Sequence, residues 1–108
     1  MDPATELLGK ALEVLERDGW YQGNYCAGSP REDDSGKPVC ALGALNRATF
    51  GNAWGARAGE ACHSSEARER AHNRLFAAIG GAIPTWNDDP GRTYEDVVLT
   101  FKKAMAGE

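Results

Sequence analysis

The chain has 108 residues, 42% of them hydrophobic, with 12 basic and 16 acidic side chains and a formal net charge of −4. That is the size of one domain with a single modest core. The charge argues against a general nucleic-acid binder, which needs a basic surface to displace counterions, and no apolar run is long enough to span a membrane.

The first element is a helix over residues 3–18. Asp2 suits the N-cap and Pro3 the first helical position. Leu7, Leu8, Ala11, Leu12, Val14 and Leu15 gather on one face. Glu6 with Lys10 and Glu13 with Arg17 form acid-before-base pairs one turn apart on the other. Gly19 can end the helix in a left-handed conformation. The following stretch, GWYQGNYCAGSPREDDSGKP, is dense in glycine, proline and aromatics. Trp20, Tyr21 and Tyr25 are expected to pack back on the core or to form a short extended pair. Residues 27–37 read as a mobile loop.

A second helix is expected over 39–50, VCALGALNRATF. Arg47 is its lone charge, and a helix apolar nearly all round belongs in the centre of the fold. Gly43 would let another helix cross closely. Residues 51–63 carry Gly51, Gly55 and Gly59, too many glycines for a stable helix, and read as a loop. A third helix follows over about 64–79, with Ala71, Leu75, Phe76, Ala78 and Ile79 inward and Glu66, Arg70, Asn73 and Arg74 outward. The segment AIPTWNDDPGRT reads as a loop. Thr93 and Asp96 form a capping-box pair for a last helix, with Tyr94, Val97, Val98, Phe101 and Met105 on its apolar face. Its acidic first turn and basic last turn match the helix dipole. The expectation is an all-α domain spanning 1–108: four helices packed irregularly around a central apolar helix at 39–50.

Three blocks stand out together: GWYQG at 19–23, CALGALNRA at 40–48 and WNDDPGRTYEDV at 86–97. Their order and spacing behind an N-terminal amphipathic helix resemble a family of small uncharacterised proteins from actinobacteria and their bacteriophages. The middle of the chain, 51–63, departs from that pattern. The family has no catalytic residue or cofactor to carry over. What the resemblance implies is origin: a phage or prophage protein acting in a bacterial cytoplasm. The opening segment, MDPATELLGK, fits, with neither the basic start nor the apolar core of a secretion leader. Three cysteines without a CxxC pair point to reduced thiols.

The candidate chemistry centres on Cys40. In the first turn of the second helix, exposed N–H groups and the dipole would lower its pKa, and Lys37 and Arg47 would add positive potential. His72 with Asn87 or Asp88 would complete a Cys-His-Asn/Asp arrangement. The structural reading of Cys40 is a small apolar residue on a buried helix, where free cysteines usually lie, and this reading is preferred. His72 reads likewise as a boundary residue bonded locally. Cys26, Cys40, Cys62, His63 and His72 lack the short paired spacing of zinc sites. Asn87, Asp88 and Asp89 are too few for a calcium loop and suit Asx turns. Phosphate-binding, GxSxG and HExxH motifs are absent, so no metal or cofactor is expected. Trp20 and Trp86 are expected to anchor the loops that bracket the central helix.

The sequence names no reaction. The leading expectation is an accessory or regulatory protein that binds a host or phage protein, with no nucleic-acid or membrane partner. Its possible interaction loops carry Trp20, Gln22, Trp86, Asn87, Asp88 and Arg92. The alternative is a small thiol-dependent hydrolase using Cys40.

Overall fold

The computed structural model describes residues 2–23, 26–27, 36–51 and 66–106. Asp2 opens the first helix as its position predicts, its carboxylate accepting from the Thr5 amide at 3.0 Å. Helix α1 runs Pro3–Asp18, α2 Ala41–Phe50, α3 Glu66–Ile79, α4 Ile83–Asn87 and α5 Tyr94–Met105. The fold is all-α, and the described residues contain isolated bridges but no strand.

Helix α2 is central. Every residue from Ala41 to Arg47 is buried, which a helix achieves only when it is covered on all sides. It packs on α1, α3 and α4, while α5 closes over α1 and α3. Leu8, Leu15, Leu45, Leu75, Ile83, Val97 and Phe101 supply the fully buried bulk. Each such side chain contributes about 1.5–3 kcal/mol of burial. Arg74 joins the outer pair. Its guanidinium donates to Asp2 at 3.2 Å, to the Thr5 hydroxyl at 2.9 Å and to the Met105 carbonyl at 2.9 Å. The first turn of α1 and the last turn of α5 therefore share one cation.

Several expectations are corrected. There are five described helices rather than four, because α4 forms inside a stretch read as loop. Pro84 sits in its first turn, where a missing N–H costs nothing, and Ile83 plugs the core. Helix α2 begins at Ala41 rather than residue 39. Val39 is extended, and Cys40 is the N-cap. Arg74, expected to face outward, is the partly buried clamp just described, whereas Phe76, expected inward, is 46% exposed. The capping box holds: Thr93 Oγ1 accepts from the Asp96 amide and Asp96 accepts from the Thr93 amide. Residues 28–35 of the expected mobile loop, residues 52–63 of the glycine-rich loop, and Ser64 and Ser65 of the expected third helix lie outside the described residues. No described helix is long and apolar enough to cross a membrane.

Candidate functional site

The sequence blocks meet at the N-terminus of α2. Val39 is the crossing point. Its amide donates to the Gly19 carbonyl at 3.0 Å, and its carbonyl accepts from the Tyr21 amide at 2.8 Å. Cys26 bridges Val39 on the other side, with Ala27 N–H donating to the Pro38 carbonyl at 3.0 Å. Trp20 thus packs back on the core while its backbone bridges Val39, the residue preceding the helix cap; Tyr25 lies outside the described residues. Gly19 makes the exit from α1 possible by adopting φ 98°, a region that suits glycine.

Asn87 closes the node. Its side chain is fully buried and all its hydrogen-bonding capacity is used. Oδ1 accepts from the Trp20 indole Nε1 at 2.7 Å and from the Ala41 amide at 2.9 Å. The latter is one of the orphan donors that every helix N-terminus leaves. Nδ2 donates to the Tyr21 carbonyl and to Asp88 Oδ1, both at 3.0 Å. Around it, Gln22 Nε2 donates to the carbonyls of Asn87 and Asp89 at 3.0 and 2.8 Å. The Gly23 amide donates to Asp88 Oδ1 at 2.9 Å. Two loops some 65 residues apart in sequence are so joined into one surface.

Both tryptophans are partly buried against the core. Arg92 lies over the Trp86 ring, its guanidinium carbon 4.3 Å from the centroid, and donates Nε to the Trp86 carbonyl at 3.0 Å. That cation–π stack covers the outer side of the ring. Asp88, Asp89, Pro90 and Gly91 form the exposed rim.

Cys40 is buried, in line with the preferred reading of it. The thiol does not gain acidity from the helix terminus. It is buried, and burial, opposed by nearby amides and reinforced by the Asp88 charge, pushes it up to about 11. Its sulfur accepts from the Gly43 amide at 3.2 Å, the N-cap bond usually made by Ser or Asp. Asn87 and Asp88 do lie beside it, but their polar atoms hold backbone. His72 sits on α3, stacked on Phe76 at 6.3 Å between centroids, with Nδ1 3.4 Å from Asn73 Oδ1. No described hydrogen bond links it to Cys40 or Asn87. Arg47 is engaged elsewhere, its Nη1 donating to Asp18 and to the Lys37 carbonyl, both at 2.8 Å. No cluster of three or more potential ligands is placed to hold a metal ion among the described residues; Cys62 and His63 lie outside them.

An alkylation experiment checks the state of the thiol. In folded protein at neutral pH, Cys40 should resist iodoacetamide and react only on unfolding. Cys40→Ser should keep the cap and melt within a few degrees of the parent, while Cys40→Ala should lose about 1 kcal/mol with the cap bond. Rapid labelling of Cys40 in the folded state would show that it carries thiolate character after all.

Two features escaped the sequence reading. The first is the buried ion pair of Arg47 and Asp18, 2.8 Å apart with side chains 6% and 4% exposed. Its signal was present: a single charge on an otherwise apolar central helix must find a counter-charge. The second is Gln22, named only as a loop residue, which stitches both carbonyls of the opposite loop. Glutamine carries no positional signal of that kind.

Fold and node together define a small all-α protein whose central helix is fixed at its N-terminus by two interlocked loops. The chain belongs to a family of unknown function, DUF6197, which it matches over residues 1–107. No curated protein and no solved structure matches it.

Proposed function

We propose that this chain is an accessory protein that works by binding another protein, with the interlocked loops at 20–23 and 86–93 as its contact face. The observation that carries the reading is the cross-loop bonding by Asn87, Gln22 and Asp88. It holds an exposed rim of Asp88, Asp89, Pro90 and Gly91 in one conformation before any partner arrives. Loops held in this way lose little conformational entropy on binding, which favours affinity. Trp20, Gln22 and Asn87 act from beneath by shaping the face. Asp88, Asp89 and the Trp86–Arg92 stack present it. The acidic rim fits a partner surface with basic or amide donors.

The same reading places the protein in a bacterial cytoplasm, as a phage or prophage product acting on host or phage machinery. The family-like blocks at 19–23, 40–48 and 86–97 support that origin. The hydrolase alternative gains no support from the geometry, since it needs a thiolate where Cys40 is buried and neutral.

Affinity capture from an actinobacterial lysate with paired variants tests the reading. Asp89→Lys and Pro90→Arg replace exposed rim residues and should abolish capture of a partner retained by the parent and by Cys40→Ala. Both rim variants should melt close to the parent. Capture that survives both would show that the loop face is not the contact surface.

A further inference from the structure

Helix α5 turns Tyr94, Val97, Phe101, Ala104 and Met105 inward. At about 100° per residue, Leu99 lies almost opposite Val97 and Phe101, and it is 65% exposed. Beside it lies a shallow, mainly apolar recess lined by Tyr94, Val98 and Leu99, together with Glu95 and, from α1, Glu16. Glu95 and Asp96 sit a turn before Leu99, and Lys102 and Lys103 a turn after. The helical projection puts Glu95 and Lys102 on one side of Leu99 and Asp96 and Lys103 on the other. The helix dipole accounts for acids at one end and bases at the other. It does not account for a bare leucine midway between them. Neither Glu16, Glu95, Lys102 nor Lys103 forms an ion pair among the described residues.

We infer that this face of α5 binds a second copy of the chain, antiparallel, about a two-fold axis through Leu99. A two-fold contact requires a surface complementary to itself, and the charge pattern around Leu99 reverses across that residue as the axis demands. An antiparallel copy brings its Lys102 opposite Glu95, on the flank where Glu16 also lies, and its Lys103 opposite Asp96. The two Leu99 side chains meet at the axis and cover the apolar recesses. A basic apolar peptide would satisfy the two glutamates, but it would leave Lys102 and Lys103 facing like charge. A second copy satisfies both signs at once. One helix face buries less than the roughly 1,200–2,000 Å² of a stable interface, so the pair is weak and concentration-dependent. The inference is independent of the loop-face role proposed above, because the two surfaces share no residue.

Sedimentation equilibrium of the full chain tests it, with protein varied from about 10 μM to about 1 mM to span the range of a weak interface. The parent should pass from monomer towards dimer across that range. Leu99→Glu should stay monomeric, with an unchanged circular-dichroism spectrum because the residue is exposed. Glu95→Lys and Lys102→Glu should each weaken the dimer at least tenfold, and the double variant should recover most of that loss, since the swap restores opposite charges across the axis. A parent that stays monomeric throughout leaves the face to a different occupant and overturns the inference. So does a dimer that survives Leu99→Glu, or one that the double swap fails to recover.

Discussion

Asn87→Ala should cost about 3–5 kcal/mol, a large share of the roughly 5–15 kcal/mol available to a domain. The substitution leaves the Trp20 indole N–H, the Ala41 amide and the Tyr21 carbonyl without their partner. Stranded buried groups cost roughly 1–3 kcal/mol each, and the lower end applies where water can enter from the loop rim. Ala41 has the least access to water, being fully buried at the start of the central helix. Asn87→Asp should be no milder. It keeps the acceptor for Trp20 and Ala41 but turns the donor towards Tyr21 and Asp88 into a second acceptor beside a carboxylate. Trp20→Phe provides the graded comparison. It removes one hydrogen bond and part of the ring packed on the core, and should cost about 1–2 kcal/mol. Urea denaturation of the three variants checks the ranking. An Asn87→Ala protein within 1 kcal/mol of the parent would show that the two loops are held by packing alone.

The second large effect belongs to Arg47. Its guanidinium donates to Asp18 and to the Lys37 carbonyl, both at 2.8 Å, with Cys26 Sγ 3.7 Å away. Arg47→Met should lose about 2–4 kcal/mol, because the Lys37 carbonyl loses its donor and the buried Asp18 carboxylate keeps only Arg17, whose own side chain is largely exposed. The melting temperature should fall on the order of 10–30 °C, at roughly 4–8 °C per kcal/mol for a domain of about this length. Asp18→Asn should also be costly, and the double variant should lose less than the two singles combined, since it leaves no unpaired charge. The pair also sets an acid limit. Hydrogen bonds from Arg17, and after it from Arg47, hold the Asp18 carboxyl below its ordinary value against the opposing effect of burial. Its folded-state pKa is depressed, so its contribution is fully present above the unfolded value near 3.9. That contribution is lost as pH falls through the folded value. Arg47→Met should therefore flatten the loss of stability below about pH 4 relative to the parent. An unchanged acid profile would locate that loss in other carboxylates.

The parts of this fold legible in the sequence are those governed by local rules. Helices α1 and α5 announce themselves through Asp2, Pro3, Thr93 and Asp96, whose caps act within one turn. Helix α2 was recognisable as central because its sequence offers no polar side. Helix α4 was hidden by its composition: a five-residue helix between glycines and an Asn-Asp-Asp run has too little length for any periodicity. Phe76 marks another limit. Periodicity says which residues share a face, not whether a neighbour arrives to cover it. Asn87 stands out in the sequence, yet its role depends on partners far along the chain. Asn87 is 67 residues from Trp20 and 46 from Ala41. A helix terminus alone suggests an acidic thiol at Cys40; the buried structural reading prevails because the same terminus that supplies amides is shut off from water.

The Arg74 clamp bears on how the first turn of α1 and the last turn of α5 come apart. Helix ends usually loosen separately, each fraying at its own local stability. Here one guanidinium holds Asp2 and Thr5 on one side and the Met105 carbonyl on the other. If the start of α1 peels away, the cation loses its carboxylate and grips α5 less well. If the end of α5 unwinds, the same side chain is freed to leave Asp2. Opening at either helix end therefore takes a partner from the shared side chain, and Arg74 couples the fraying of the two.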